Sequence, residues 1–326
     1  MTYKYKIILA GIAVFSSSLV GLAFADGWDP TSQAPNVDSI TKTRHNLTVS
    51  YSSYGTEMNA YRNDYREVCV YCHTPHGANA QINAPLWNRT INTAQYTIFD
   101  KPRTLNQPIG QPGPNSLTCL SCHDGTISPD SIINMPGSGG FNKNMETVND
   151  QNWLDTWVLD GRGAGPAPGN NRHMKLDKTP SPTSCMACHS PGNAFNAPDY
   201  TVFSIQTDLR DDHPIGILFP QDTAAAHVDF NAPTHTSENG LIKFFDRDGD
   251  GRPDTDEVRL YDTGDGPEVE CASCHDPHGI ESGGAGSKFN PSFLRVNNGI
   301  ADNGTAGTAG IVSNTGSALC LTCHDK

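Results

Sequence analysis

The chain has 326 residues, only 36% of them hydrophobic, and its 35 acidic and 22 basic residues give a formal charge of −13. That balance argues against nucleic acid or anionic lipid as partners. With 31 Gly and 23 Pro interrupting nearly every segment, the chain must bury something besides its own side chains to offset the entropy of folding.

The first predicted element is a leader. Lys4 and Lys6 precede an apolar stretch from Ile7 to Phe24, and Ala23-Phe24-Ala25 stands before Asp26. This is the charged start, apolar middle and small-residue cleavage site of a secretory signal peptide over residues 1–25. Its removal takes away two lysines and no acid, so the remaining chain is more acidic still. No cysteine stands at the cleavage site to take a lipid, and no later segment approaches the length of a membrane span. The expected address is extracellular or at the cell surface, with the periplasm as the alternative, and without membrane insertion.

The ten cysteines all fall into five copies of one pattern. They are Cys69-Val-Tyr-Cys72-His73, Cys119-Leu-Ser-Cys122-His123, Cys185-Met-Ala-Cys188-His189, Cys271-Ala-Ser-Cys274-His275 and Cys320-Leu-Thr-Cys323-His324. This is the attachment signature of c-type haem. Two cysteines three apart lie on one face of a helical turn, where both can form thioethers to the porphyrin edge, while the following imidazole meets the iron. A disulfide framework, the usual meaning of an even cysteine count in an exported chain, leaves the five histidines unexplained. Paired CxxC units for zinc leave them idle again, and five units do not pair off. Five covalent haems are expected.

The motifs also disclose a duplication. Cys69-x-x-Cys72-His73-Thr-Pro-His76-Gly leads on to Ser116-Leu-Thr-Cys119, and Cys271-x-x-Cys274-His275-Asp-Pro-His278-Gly leads on to Ser317-Ala-Leu-Cys320. Two dihaem modules, over residues 26–150 and 241–326, therefore flank a central region, 151–240, that carries the haem of Cys185 and Cys188.

Each iron needs a second ligand. Seven histidines lie outside the motifs: His45, His76, His173, His213, His227, His235 and His278. His76 and His278 stand three residues after a motif histidine, too near to straddle the same porphyrin, so each is expected to ligate a neighbouring haem. Chain order adds His45 and His213, one upstream of each module. The fifth distal ligand falls to His173, His227 or His235 or to another subunit, with His173 favoured. Met58, Met135, Met145, Met174 and Met186 do not repeat between modules, so paired imidazoles are expected rather than methionine.

Between the central region and the last motif pair lies Asp246-Arg-Asp248-Gly-Asp250-Gly251-Arg252-Pro-Asp254-Thr-Asp-Glu257. Carboxylates at positions 1, 3, 5, 9 and 12, with glycine at 6 and a backbone carbonyl at Arg252, match a calcium loop. Carboxylates so closely spaced repel one another unless a hard cation lies between them. A structural calcium leading into Cys271 is expected.

Taken together, Arg44-His45-Asn-Leu47, Cys69–Gly77, Pro85-Leu-Trp87-Asn-Arg89, Cys119–Gly125, Asp208-Leu-Arg-Asp-Asp-His213-Pro214 and Cys271–Gly279 resemble the multihaem cytochromes with doubled CxxCH motifs of metal-reducing and related bacteria. Some of that group polymerise outside the cell into filaments with a continuous line of stacked haems. The resemblance covers most of residues 41–326, with the central haem, from about 150 to 205, inserted relative to a four-haem pattern. It implies mostly coil and turns with short α-helices wrapped around stacked haems, and little β. It further implies electron transfer to redox partner proteins or extracellular acceptors, a possible homopolymer, and a distal histidine that an adjacent subunit can supply. A soluble periplasmic shuttle is the alternative. A reductase would need an iron with an open position; pentahaem nitrite reductases typically mark it with lysine in the motif, whereas all five motifs here end in histidine.

Overall fold

A computed structural model describes residues 39–48, 65, 67–100, 107–134, 174–181, 184–192, 199–220, 229–279, 293–296 and 318–325. The predicted leader, His173 and His227 lie outside the described residues.

Four α-helices occur among the described residues, and each carries motif residues: α1 (Pro114–His123), α2 (Met186–His189), α3 (Cys271–Cys274) and α4 (Ala318–Cys323). The first motif forms a 3₁₀ turn, Cys69–Tyr71. Helix α1 begins as its sequence dictates. Pro114 sits in the first turn, where its missing N–H costs nothing, and Gly113 is the N-cap. A side chain at position 113 would put its Cβ 2.5 Å from a carboxylate oxygen of Glu270, so glycine is required by close approach rather than by torsion. Helix α3 starts with a reciprocal cap, in which the Glu270 side chain accepts from the Ser273 N–H and the Ser273 hydroxyl accepts from the Glu270 N–H.

The described residues also contain a five-stranded antiparallel sheet. The strands are β1 (Ile217–Leu218), β2 (His235–Thr236), β3 (Ile242–Phe244), β4 (Arg259–Asp262) and β5 (Pro267–Val269), in the order β1-β5-β4-β3-β2. Register is set by Ile217 opposite Val269, Tyr261 opposite Glu268, Lys243 opposite Leu260 and His235 opposite Phe244. This overturns the expected fold of coil and short helices wrapped around stacked haems with little β. The physical reason is length. Strands of two to four residues are too short to display a period of two, and the Gly and Pro between them, read as coil, are the turns of a meander. The sheet crosses residue 240, joining strands on both sides of it.

The apolar packing falls into separate clusters, each holding a motif against something else. Tyr65, Val70, Tyr71 and Ile132 pack around the first motif, with Leu47 and Cys72 at the edge. Leu120 of α1 packs with Tyr96 and Leu209. Phe219, Phe245, Val258, Leu260 and Val296 form the sheet's core, and Leu319 and Cys323 of α4 dock on it. Among the described residues no helix is long and apolar enough to cross a membrane.

Candidate functional site

The motifs share one local geometry. The N–H of the histidine donates to the carbonyl of the first cysteine in four of them, at 2.8 Å (His73 to Cys69), 2.9 Å (His189 to Cys185), 3.1 Å (His275 to Cys271) and 2.9 Å (His324 to Cys320). The remaining one is the last turn of α1. One helical turn thus carries both thiols and the imidazole. None of the ten cysteines is in a disulfide. The thiols of different motifs lie close together: those of Cys119 and Cys271 are hydrogen-bonded, which pushes the first up and the second down. Burial, with Cys122 nearby, pushes the Cys72 thiol up to about 12, and burial next to Cys271 takes Cys274 to about 11. Such thiols are poor thiolate donors for zinc. Among the described residues, the one group of three or more His, Cys, Asp or Glu close enough to share an ion contains no cysteine.

The histidines form facing pairs drawn from distant parts of the chain. His73 and His278 have ring centres 6.2 Å apart with planes at 14°, and His45 and His123 have ring centres 6.2 Å apart with planes at 64°. A metal lies about 2 Å from an imidazole nitrogen and the ring centre about 1 Å behind that nitrogen, so two rings on opposite faces of one metal have centres about 6 Å apart. In each of these rings Nδ1 faces an oxygen that can only accept: Pro277 O at 3.1 Å for His45, Pro85 O at 2.8 Å for His73, Phe203 O at 2.7 Å for His123 and the Asp276 carboxylate at 3.1 Å for His278. Nδ1 therefore carries the hydrogen, and Nε2 of the neutral ring offers its lone pair. Burial, followed by the neighbouring His123, pushes His45 down to about 4, and burial lowers His123 as well. Both are neutral at pH 7, the form that binds a metal.

An indole, a buried cation and a left-handed phenylalanine complete the surroundings. Trp87 is buried against His73, with ring centres 5.7 Å apart, and its Nε1–H has no acceptor. A buried indole N–H normally finds one, and the carboxylates that edge a haem are acceptors of the right kind. The residues present therefore fit haem on three counts: ring spacing, tautomer and an orphaned donor. Arg89, fully buried between the first two motifs, gives its N–H groups to Ser121 Oγ and to the carbonyls of Ser121, Ser128, Pro129 and Ser131. Phe293, whose backbone is left-handed at φ 57°, stacks on His45 with ring centres 4.4 Å apart; strain of this kind persists where the surroundings fix it.

The other sequence-derived candidates are placed as follows. His76 is exposed, and its carbonyl accepts from Thr74 and Asn134. His213 is exposed with Nδ1 3.0 Å from Pro214 O. His189 stacks on Tyr200 at 3.8 Å and His324 packs on Phe230 at 5.0 Å. His235 turns to the acidic loop, 3.2 Å from Asp246.

That loop joins β3 to β4. Oxygens of Asp246, Asp248 and Asp250 lie within 4.8 Å of one another. Asp246 accepts from the N–H groups of Gly249 and Gly251, whose φ of 75° makes the sharp turn. Burial works to raise the Asp246 carboxyl, but those N–H groups and His235 outweigh it, and the net shift is downward. Glu257 is buried, accepting from Arg247 N and Asp254 N, and burial raises it. Arg252 and Asp254 lie on the same loop; the Arg252 N–H donates to Asp250 at 2.7 Å.

Sequence reasoning missed the residue that ties two motifs together. Glu270 is buried and accepts from the Gly113 N–H at 3.0 Å and from the Ser116 hydroxyl, while Ser116 Oγ accepts from the Cys271 N–H at 2.9 Å. It thereby joins the N-termini of α1 and α3, where negative charge is favoured. Burial pushes its carboxyl up to about 7. The one signal in the sequence is an acidic residue directly before a motif cysteine. No family model matches the chain, and neither does any curated protein.

Proposed function

We infer that the protein is a pentahaem c-type cytochrome that transfers electrons outside the cytoplasm. The observation that carries this reading is the 6.2 Å spacing within the pairs His73/His278 and His45/His123, each with Nδ1–H turned away onto an oxygen. Each haem, once attached through two motif cysteines, supplies reversible one-electron chemistry. The chain's own part is to hold the imidazoles in the neutral tautomer, to present both thiols of each motif on one helical turn, and to deny exogenous ligands a coordination position by facing one ring with another. Because partners such as His45 and His123 are brought together by tertiary packing, their ligation ties the N-terminal segment to α1. Calcium on Asp246, Asp248, Asp250, Arg252, Asp254 and Glu257 would brace the β3–β4 turn. Its role is structural. Redox proteins or an extracellular acceptor are the partners, and a homopolymer would extend the same line of haems.

The test is an absorption spectrum of the reduced, purified protein with and without carbon monoxide. Low-spin c-type bands unchanged by carbon monoxide support electron transfer through saturated irons. Binding at one haem would move the reading to a reductase, and a colourless protein would end it.

A further inference from the structure

The two modules differ at one position directly after the first motif of each: Thr74 follows His73, but Asp276 follows His275. In the structure that difference falls on a ring of one facing pair. Asp276 is buried; one carboxylate oxygen accepts from both the backbone N–H and Nδ1–H of His278 at 3.1 Å, and the other accepts from Arg295 at 3.0 Å. Arg295 is itself buried and anchored to Ala272 O at 3.0 Å and Thr255 O at 2.9 Å. The other three rings of the facing pairs, His45, His73 and His123, donate to neutral backbone carbonyls. The carbonyl that holds His45 belongs to Pro277. Residues 276–278 thus orient one ring of each pair, His278 by a carboxylate and His45 by a neutral oxygen.

A carboxylate acceptor makes the imidazole a stronger electron donor than a carbonyl does, which favours the more oxidised state of a metal on its Nε2. Arg295 moderates this charge without removing the hydrogen bond. We propose that Asp276 is a positioning residue that sets the His73/His278 haem at a lower potential than the His45/His123 haem, giving electrons a preferred direction from the first to the second. This rests on the haem reading above.

The two sites are distinguishable because their ring planes differ, 14° against 64°. Crossed imidazole planes give ferric haem a more anisotropic electron paramagnetic resonance signal than near-parallel planes do. In a potentiometric titration of the full chain, the near-parallel signal becomes reduced at lower potential than the crossed one. Asp276→Asn makes the reduced form of that site about tenfold more favourable, equivalent to about 59 mV for one electron, and leaves the crossed-plane signal in place. A protein that holds its haems but whose near-parallel signal does not move in Asp276→Asn overturns the proposal. So does the reverse order of potentials in the unaltered chain, a measurement that decides the matter if the variant does not accumulate. A preparation without haem fails the underlying reading instead.

Discussion

Glu270→Gln isolates the junction between α1 and α3. The carboxyl is moved by burial from its ordinary value of 4.5 to about 7, so the folded chain holds this proton more tightly than the unfolded chain. For an acid raised in this way, the stabilising contribution of the protonated form is complete below pH 4.5 and is lost as pH rises towards 7. One pKa unit corresponds to about 1.4 kcal/mol, so the loss at neutral pH is about 3 kcal/mol for a group this buried. Glutamine resembles the protonated acid, accepts from the Gly113 N–H and cannot ionise. The assay is denaturant unfolding of both full chains at a series of pH values from 4 to about 8, where titrations shared by the two chains, including those of the histidines, cancel in the difference. Equal stability near pH 4, with the variant ahead by up to about 3 kcal/mol above pH 7, is expected. Curves that stay parallel across that window would refute the assignment of a buried, proton-holding carboxyl at the junction.

Calcium should raise the unfolding midpoint, by about 2.7 kcal/mol of stability at a free concentration one hundred times the dissociation constant, and Asp248→Asn should weaken the effect; calorimetry with and without chelator reads both. Arg89→Met strands Ser121 Oγ and four carbonyls and should cost about 3–5 kcal/mol in denaturant unfolding, with no rescue by Arg89→Lys, whose single ammonium cannot reach them all. Trp87→Phe keeps the ring packed on His73 and removes the orphaned N–H. If that donor serves a haem carboxylate, the variant should unfold within about 1 kcal/mol of the parent but show one haem potential lowered, and unchanged potentials would count against the donor's role.

Local geometry was legible in the sequence; long-range placement was not. Each CxxCH motif folds both thiols and the imidazole into one helical turn, and the acidic loop gathers Asp246, Asp248 and Asp250, because both patterns are local. The facing pairs bring together residues as far apart as His73 and His278, or His45 and His123, and chain order carries no such information. The sheet escaped for a different reason: Ile242–Phe244 and Pro267–Val269 are shorter than two periods of alternation. Glu270 and Arg89 look in sequence like ordinary surface charges. Only the fold shows that one caps two helices at once and the other is enclosed by carbonyls.

The most direct measurement for the whole account is the intact mass of the purified chain under denaturing conditions, where thioether-bound groups stay attached and all others are lost. A mass equal to the polypeptide plus five haems is predicted. The mass of the polypeptide alone, or of a chain whose ten cysteines are paired as disulfides, would contradict it.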